Sequence, residues 1–184
     1  IIYLLACELK KSNKLKDNLV VGTVMTNLGL KKALIDEEMV FLETQVGDRF
    51  VMEEIVTSGA SVGGEQSGHI ILPGFLPTGD GILCAVYLAN IFSKNPMLLP
   101  TLIDNVVKYP QVLKNITVKN KTLVMEDKGL ITLVEEQEAL LSNGRILVRA
   151  SGTEPLVRVM VEAQKMEQCE KICEIFSQYI KNIV

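Results

Sequence analysis

The chain lacks the cysteine patterns that mark metal-binding or disulfide-rich proteins. Its four cysteines, Cys7, Cys84, Cys169 and Cys173, form no Cys-x-x-Cys pair. The one histidine of the chain, His69, is far in sequence from Cys169 and Cys173. This spacing argues against a zinc site or a disulfide framework. We expect reduced thiols in a cytoplasmic protein.

Long apolar runs and an excess of charge are also missing. No apolar run reaches the ~20 residues that span a bilayer, and the segment Ile1 to Cys7 lacks the basic region and the cleavage site of a signal peptide. The formal net charge is -3, with both signs spread along the chain. That balance argues against nucleic acid or a membrane as a partner. The chain begins without methionine, within an apolar helical pattern, and we expect it to be a fragment of a longer protein.

Motifs that bind nucleotides or metal ions are missing too. The sequence has no Gly-x-Gly-x-x-Gly and no Gly-x-x-x-x-Gly-Lys-[Ser/Thr], so dinucleotide and P-loop nucleotide binding have no support. Its aspartates are dispersed and form no cluster that could hold Mg²⁺. Because phosphoryl transfer normally needs such a cation, we expect no metal site in this chain and no complete transfer chemistry.

What the chain does have is a strong pattern of helices and strands. It has 184 residues, 48% of them hydrophobic, which is enough for a substantial core. Helix and strand signals alternate through the first half, which predicts a sheet covered by helices. In the second half, two strands joined by a short loop predict an antiparallel hairpin. We expect an α/β fold with three parts: a three-layer α/β/α domain with a mixed sheet (1–96), a linker (97–108) and a small α+β domain with an antiparallel sheet (109–184).

The loop between the two hairpin strands, which we call the Ser-Gly-Thr loop (149–155), has residue types that bind phosphate. Ser151 and Thr153 offer hydroxyl donors, and Gly152 permits a positive φ that would let backbone N–H groups converge on an anion. Arg149 can fork two N–H bonds onto phosphate oxygens. A solvated surface turn could have the same residues, so both interpretations stay open. The candidate phosphate ligands are Arg149, Ser151, Gly152, Thr153 and Arg158.

A second loop, which we call the glycine loop (63–69), has residue types that bind sugar hydroxyls. Glu65 and Ser67 lie two residues apart and could present a carboxylate and a hydroxyl together. A carboxylate can accept hydrogen bonds from two neighbouring hydroxyls, and the glycines would let a ligand approach the backbone. His69 could transfer a proton, although a lone histidine is also often a structural residue.

Polar residues also precede three predicted helices. Asn27, Asp48 and Thr78 are each placed to cap the helix that follows. Asp48 and Arg49 are further candidates for substrate binding, with helix capping and dipole compensation as the alternative. For the segment from Thr78 to Gly81 we favour capping.

Together these motifs resemble the α-D-phosphohexomutase superfamily, and the resemblance covers nearly the whole chain. Gln66 and the form Ser-Gly-Thr-Glu-Pro-Leu are most similar to bacterial members that interconvert glucosamine 6-phosphate and glucosamine 1-phosphate. Ala150 stands where relatives often have proline, which should leave the loop less rigid. The segments that carry the resemblance are Gly22–Leu30, Val46–Arg49, Gly64–His69, Thr78–Gly81 and Arg149–Met160.

The resemblance implies a cytoplasmic isomerase of four domains, an intramolecular phosphotransferase that makes a peptidoglycan precursor. A phosphoserine in the first domain would transfer its phosphoryl group through a bisphosphate intermediate, and an Asp cluster in the second would hold Mg²⁺, both outside this chain. Glu65 and Ser67 correspond to the sugar-binding positions, and the Ser-Gly-Thr loop to the site of the phosphate that is not transferred. His69 corresponds to a position suspected of proton transfer.

The resemblance also implies partners: a hexosamine phosphate and the N-terminal domains of the same protein, with homodimer formation left open. The chain alone is then expected to be inactive. Two alternatives remain. The chain could belong to a superfamily member that acts on mannose or glucose phosphates, or it could be a stand-alone, non-catalytic module that binds sugar phosphates.

Overall fold

The structure is a computed structural model that describes residues 1–96 and 104–183. The chain divides into two compact units, Ile1–Lys108 and Tyr109–Val184. Of the predicted linker (97–108), residues 97–103 lie outside the described residues.

The first unit is built on a four-stranded mixed sheet. The sheet has the order β2-β1-β3-β4, in which β1 pairs in parallel with β2 and β3, and β3 pairs antiparallel with β4. The strands are β1 (Leu19–Thr23), β2 (Val40–Thr44), β3 (Gly63–Gly64) and β4 (Ile70–Ile71), and the helices are α1 (Ile2–Lys11), α2 (Leu28–Asp36), α3 (Asp48–Ser58) and α4 (Gly81–Lys94).

Helices cover both faces of this sheet, as the alternating pattern predicts. Val20 is fully buried in a core with residues of α1, α2 and α4. The next residue, Val21, is fully buried in a separate core with Val51 and Ile55 of α3. Because successive strand residues face opposite sides of a sheet, these two cores lie on its two faces. The prediction of a three-layer domain with a mixed sheet is confirmed.

The second unit is a three-stranded antiparallel sheet with helices on one face. Its order is β5-β7-β6. Val157, Val159 and Val161 of the central strand share one core with Phe176 and Ile180 of the last helix. The elements are β5 (Gln111–Thr117), α5 (Lys121–Met125), α6 (Lys128–Ala139), β6 (Arg145–Ala150), β7 (Leu156–Glu162) and α7 (Met166–Ile183). The predicted hairpin and its antiparallel sheet are confirmed.

One predicted helix cap is confirmed and two are wrong. The Asn27 side chain accepts a hydrogen bond from the Gly29 N–H at 3.1 Å, as an N-cap should. Asp48 is the first residue of α3, whose N-cap is Gly47. The N-cap of α4 is Asp80, which accepts from the Leu83 N–H at 2.7 Å, so Thr78 has no such role.

The four cysteines are free thiols, and all but Cys7 are buried. Cys169 donates to the Pro110 carbonyl at 3.4 Å. Burial raises the pKa of Cys173 to about 11, which keeps this thiol protonated at neutral pH. No helix in the described residues is both long and apolar enough to cross a lipid bilayer.

Candidate functional site

The glycine loop turns tightly between β3 and β4 and brings three of its four polar side chains together. The Glu65 N–H donates to the His69 carbonyl at 2.9 Å, and Gly68 has a φ of 100°. Ser67 Oγ and His69 Nδ1 are 3.0 Å apart. Glu65 Oε2 lies 3.8 Å from the same His69 nitrogen. The loop therefore presents a carboxylate, a hydroxyl and an imidazole as one cluster.

The Glu65 carboxylate also ties this loop to the start of α3. Its Oε1 accepts the Gly47 N–H at 2.9 Å. The position suits a carboxylate because the N-terminus of a helix carries a partial positive charge. The Glu65 side chain is only 12% exposed, whereas that of His69 is 61% exposed. Glu65 is therefore held in place by the backbone, and His69 faces solvent.

The glycines at the start of this loop are required for packing. A Cβ on Gly63 would lie 2.8 Å from Ile55 Cδ1, and one on Gly64 would lie 2.5 Å from the His69 carbonyl oxygen. Both residues are buried. At Gly63 and Gly64 the prediction that the glycines leave room for a ligand is therefore wrong, since protein atoms occupy that space. Gly68 is exposed, and within the described residues no heavy atom lies within 4 Å of an added Cβ there.

Asp48 and Arg49 lie beside the glycine loop but bond within their own helix. The Asp48 carboxylate accepts the Arg49 N–H at 2.8 Å. Arg49 Nε pairs with Glu53 Oε1 at 2.7 Å, and its side chain is 80% exposed. The neighbouring Glu53 raises the pKa of the Arg49 guanidinium. A ligand that binds Arg49 would therefore have to compete with Glu53.

An apolar cavity of about 540 Å³ borders the glycine loop. Glu65 and Gln66 are among its lining residues, together with apolar side chains such as Ile2, Leu88 and Phe92. A sugar ring has a hydroxyl on most of its carbons, and this lining offers few hydrogen-bond partners for them. We therefore place the candidate sugar site at the exposed polar cluster and not in this cavity.

The Ser-Gly-Thr loop connects β6 to β7 and is fixed through its backbone. The Ser151 N–H donates to the Leu156 carbonyl at 2.9 Å. The Glu154 N–H donates to Ser151 Oγ at 3.3 Å. Ser151 is only 3% exposed, while Gly152 and Thr153 are exposed. Gly152 is not among the glycines with positive φ, so the prediction of a left-handed conformation there is wrong.

Two arginines lie side by side at this loop. Arg149 of β6 is directly opposite Arg158 of β7 in the antiparallel register. The Nε atoms of both side chains are buried, and within the described residues neither has a hydrogen-bond partner. Burial lowers the pKa of the Arg149 guanidinium, and the positive charge of Arg158 lowers it further. Glu154 Oε2 already pairs with Arg158 Nη2 at 2.7 Å. Like charges directly opposite one another destabilise a sheet, so an anion that bridged the two guanidinium groups would offset their repulsion but would compete with Glu154 for Arg158.

Two residues near this loop are not predicted from sequence. Asn115 of β5 is the register neighbour of Arg158 on its other side, which extends the row of polar side chains. Lys121, the first residue of α5, donates from Nζ to the Ser151 carbonyl at 2.6 Å and to the Glu154 carbonyl at 3.2 Å. Neither residue belongs to a local motif, so only the sheet register and the placement of α5 reveal them.

No metal site is formed by the part of the chain that the structure describes. There, no three His, Cys, Asp or Glu side chains are grouped so that they could hold a metal ion.

Comparison with known families covers both units. Residues 1–109 match the family described as phosphoglucomutase/phosphomannomutase, alpha/beta/alpha domain III. Residues 113–178 match the family described as phosphoglucomutase/phosphomannomutase, C-terminal domain.

Curated relatives are similar over almost the whole chain. The chain is 45% identical over 182 residues to the phosphoglucosamine mutase of Exiguobacterium sp., with 98% of this chain and 40% of the relative covered. It is 46% identical over 174 residues to that of Carboxydothermus hydrogenoformans, with 95% and 39% covered. The chain thus spans about two fifths of the length of these relatives.

Solved structures show the same fold at low sequence identity. The Aspergillus fumigatus N-acetylphosphoglucosamine mutase, in complex with GlcNAc-6P and magnesium, matches with a TM-score of 0.78 and 13% identity. The match covers 99% of this chain and 42% of that one.

Proposed function

This chain belongs to the phosphoglucomutase/phosphomannomutase family, of which it comprises domains III and IV, and from that premise we propose that it is the substrate-binding part of a phosphoglucosamine mutase. Such an enzyme interconverts glucosamine 6-phosphate and glucosamine 1-phosphate through a phosphoserine and a bisphosphate intermediate. The choice of a hexosamine rests on the curated relatives, which are phosphoglucosamine mutases at 45% and 46% identity.

The observation that carries the proposal is the paired arginines of the second unit. Arg149 and Arg158 present two guanidinium groups whose buried Nε atoms have no hydrogen-bond partner among the residues that the structure describes. A sugar phosphate carries close to two negative charges at neutral pH, as phosphorylated side chains do. It would relieve the repulsion between the arginines and accept their N–H groups. The exposed Gly152 and Thr153 would supply a backbone N–H and a hydroxyl at the rim, and Ser151 a second hydroxyl.

The glycine loop suits the uncharged part of the substrate. Glu65 Oε1 is engaged by the Gly47 N–H, but a carboxylate has about four lone-pair sites, so Oε2 can still accept from sugar hydroxyls. Ser67 can donate or accept. Groups that accept from any hydroxyl suit a mutase, because the bisphosphate intermediate must bind in two orientations.

His69 is the candidate for proton transfer. Its ring is exposed, and Ser67 Oγ at 3.0 Å can fix its orientation. Glu65 Oε2 lies 3.8 Å from the same ring nitrogen. The chemistry fits a group that takes a proton from a sugar hydroxyl as that oxygen attacks phosphorus, and returns a proton to the leaving oxygen. Asp48 and Arg49 are kept as outer substrate contacts, beside Glu65.

The described residues do not fit a magnesium site. We propose that Mg²⁺ is bound by a part of the enzyme other than domains III and IV. We propose that the phosphoserine lies in that other part as well. The unmatched three fifths of the curated relatives leave room for both. A cytoplasmic location, a role in making a peptidoglycan precursor and homodimer formation stay predictions.

The test is calorimetric titration of the 184-residue chain with glucosamine 6-phosphate in buffer free of phosphate and sulfate. A partial site should bind with a dissociation constant on the order of 1 mM, equivalent to about 4 kcal/mol. Glucosamine without phosphate is the control and should bind far more weakly. Tighter binding of glucose 6-phosphate or mannose 6-phosphate would indicate that the substrate is a phosphate of that sugar. No binding of any sugar phosphate would refute the proposal.

A coupled mutase assay on the same chain tests whether it binds substrate without carrying the groups that transfer the phosphoryl group. We expect no turnover with glucosamine 6-phosphate and glucose 1,6-bisphosphate present. Turnover by the purified chain would show that these residues also carry the transfer chemistry.

A further inference from the structure

Lys121 is a half-buried lysine that holds both ends of the central segment of the Ser-Gly-Thr loop. Its ammonium donates to the carbonyl of Ser151 at 2.6 Å and to that of Glu154 at 3.2 Å. The lysine lies 30 residues before Ser151 in the sequence. Two backbone carbonyls are thus fixed by one side chain from a separate element.

The base of Lys121 is itself fixed. The preceding residue, Asn120, is the N-cap of α5 and accepts the Leu123 N–H at 3.1 Å. Val124, on the same short helix, is fully buried in the core of the second unit. The lysine stem therefore projects from an anchored backbone, and its ammonium can hold the loop in one conformation.

The direction of the Ser151 carbonyl sets the direction of the next amide. In a planar trans peptide the C=O of one residue and the N–H of the next point in opposite directions. Since Lys121 holds the Ser151 carbonyl, the Gly152 N–H must point away from the lysine. An added Cβ on Gly152 would have no heavy atom within 4 Å, so an anion has room to approach at this residue.

Lys121 also acts on the second arginine through Glu154. Arg158 Nη2 pairs with Glu154 Oε2 at 2.7 Å. Because Lys121 holds the carbonyl of that same glutamate, it limits where the Glu154 carboxylate, and with it the guanidinium, can lie. One lysine thus restrains a backbone donor and an arginine.

Resting on the proposed function, we infer that Lys121 is a positioning residue of the phosphate site. It holds the Ser-Gly-Thr loop so that the Gly152 N–H is directed at the phosphate, without itself being the phosphate ligand.

The test compares three variants of the 184-residue chain, titrated with inorganic phosphate. Lys121→Met keeps the stem and removes the ammonium, and it should weaken phosphate binding by about 5- to 10-fold, the effect of one or two hydrogen bonds. Lys121→Arg keeps two donors and should recover affinity to within about 3-fold of the parent. Lys119→Met removes an exposed positive charge two residues away and should change affinity by less than about 2-fold.

A second measurement separates positioning from direct contact. In the phosphate-free chain, the ¹⁵N–¹H heteronuclear NOE of Gly152 should fall in Lys121→Met and remain unchanged in Lys119→Met. An unchanged NOE in Lys121→Met would overturn the inference, because a lysine that only contacts phosphate would not order the free loop. Equal phosphate affinities of the parent and Lys121→Met would overturn it as well, and the proposed function would stand. If the parent chain itself failed to bind phosphate, the proposed function would fall, and this inference with it.

Discussion

The glycine loop and the Ser-Gly-Thr loop differ in which of their polar groups have hydrogen-bond partners. In the glycine loop the polar side chains contact one another or a backbone N–H: Ser67 lies against His69, and Glu65 accepts from Gly47. In the Ser-Gly-Thr loop the backbone groups of Ser151 and Glu154 are hydrogen-bonded, while in the part of the chain that the structure describes the buried Nε atoms of Arg149 and Arg158 have no hydrogen-bond partner.

This difference follows from what each loop is proposed to bind. A neutral hydroxyl can replace water at an exposed side chain with little electrostatic change, so its site can be satisfied when empty. An anion needs positive charge that is already oriented, because turning dipoles toward it after binding would cost free energy. The two arginines, held opposite each other by the strand register, therefore suit the proposed phosphate site.

The largest expected effect contrasts two arginines on the same face of β6. Arg145 pairs with the fully buried Glu162 at 2.5 Å, so Arg145→Met should lower the free energy of unfolding by about 3–5 kcal/mol, as expected when a buried pair loses one partner. Arg149→Met removes a like-charge contact and should leave stability unchanged or slightly higher. Urea unfolding of the second unit, followed by NMR, measures both, and equal destabilisation by the two variants would contradict the contrast.

The next effect concerns phosphate affinity at the same strand. Arg149→Met should weaken phosphate binding by about 10- to 100-fold, since hydrogen bonds to charged groups contribute about 1.5–3 kcal/mol. Arg149→Lys should recover only part of the loss, because an ammonium lacks the planar fork of donors. Titration calorimetry decides the matter, and unchanged affinity in Arg149→Met would remove Arg149 from the site.

A pair of glycine substitutions sharpens the comparison between the loops. Gly64→Ala places a Cβ 2.5 Å from the His69 carbonyl oxygen and should destabilise the first unit by about 1–3 kcal/mol. Gly152→Ala meets no atom within 4 Å and has no positive φ, so its stability should stay within about 0.5 kcal/mol of the parent. Thermal or urea unfolding measures both, and a large loss in Gly152→Ala would show that the loop is more tightly packed.

The smallest effect is expected at the glycine loop. Ser67→Ala should weaken glucosamine 6-phosphate binding by about 2- to 10-fold, the value of one neutral hydrogen bond. Binding of inorganic phosphate should not change, because Ser67 belongs to the hydroxyl-binding loop. Parallel titrations with the two ligands test this, and equal losses for both would end the proposed separation of roles.

The architecture was predictable because its signals are local and repeated. Alternating helix and strand patterns predict the layered first unit, and the short turn between two apolar strands predicts the hairpin of β6 and β7. Asn27 was predictable as a cap because it is among the most favoured N-cap residues and directly precedes the first residue of α2, whereas Thr26 lies one position further away. Before α3 and α4 several polar or glycine residues compete for that position, and sequence alone misplaced both caps.

The candidate sites were predictable by residue type but less so by geometry. The direct pairing of Arg149 with Arg158 depends on the hairpin register, which a sequence motif does not specify. Lys121 lies 30 residues from the Ser151 carbonyl that it holds, and a single lysine at the start of a short helix has no sequence signal. The prediction for Gly152 failed because glycine permits a positive φ without requiring one.

The most direct test of the central claim, that the Arg149 and Arg158 pair binds phosphate, is an NMR titration of the ¹⁵N-labelled chain with inorganic phosphate on the order of 10 mM. We predict that the largest shift changes fall on the amides of Ser151, Gly152 and Thr153 and on the Nε–H groups of the two arginines. Shift changes confined to other residues, or none at these positions, would contradict the account.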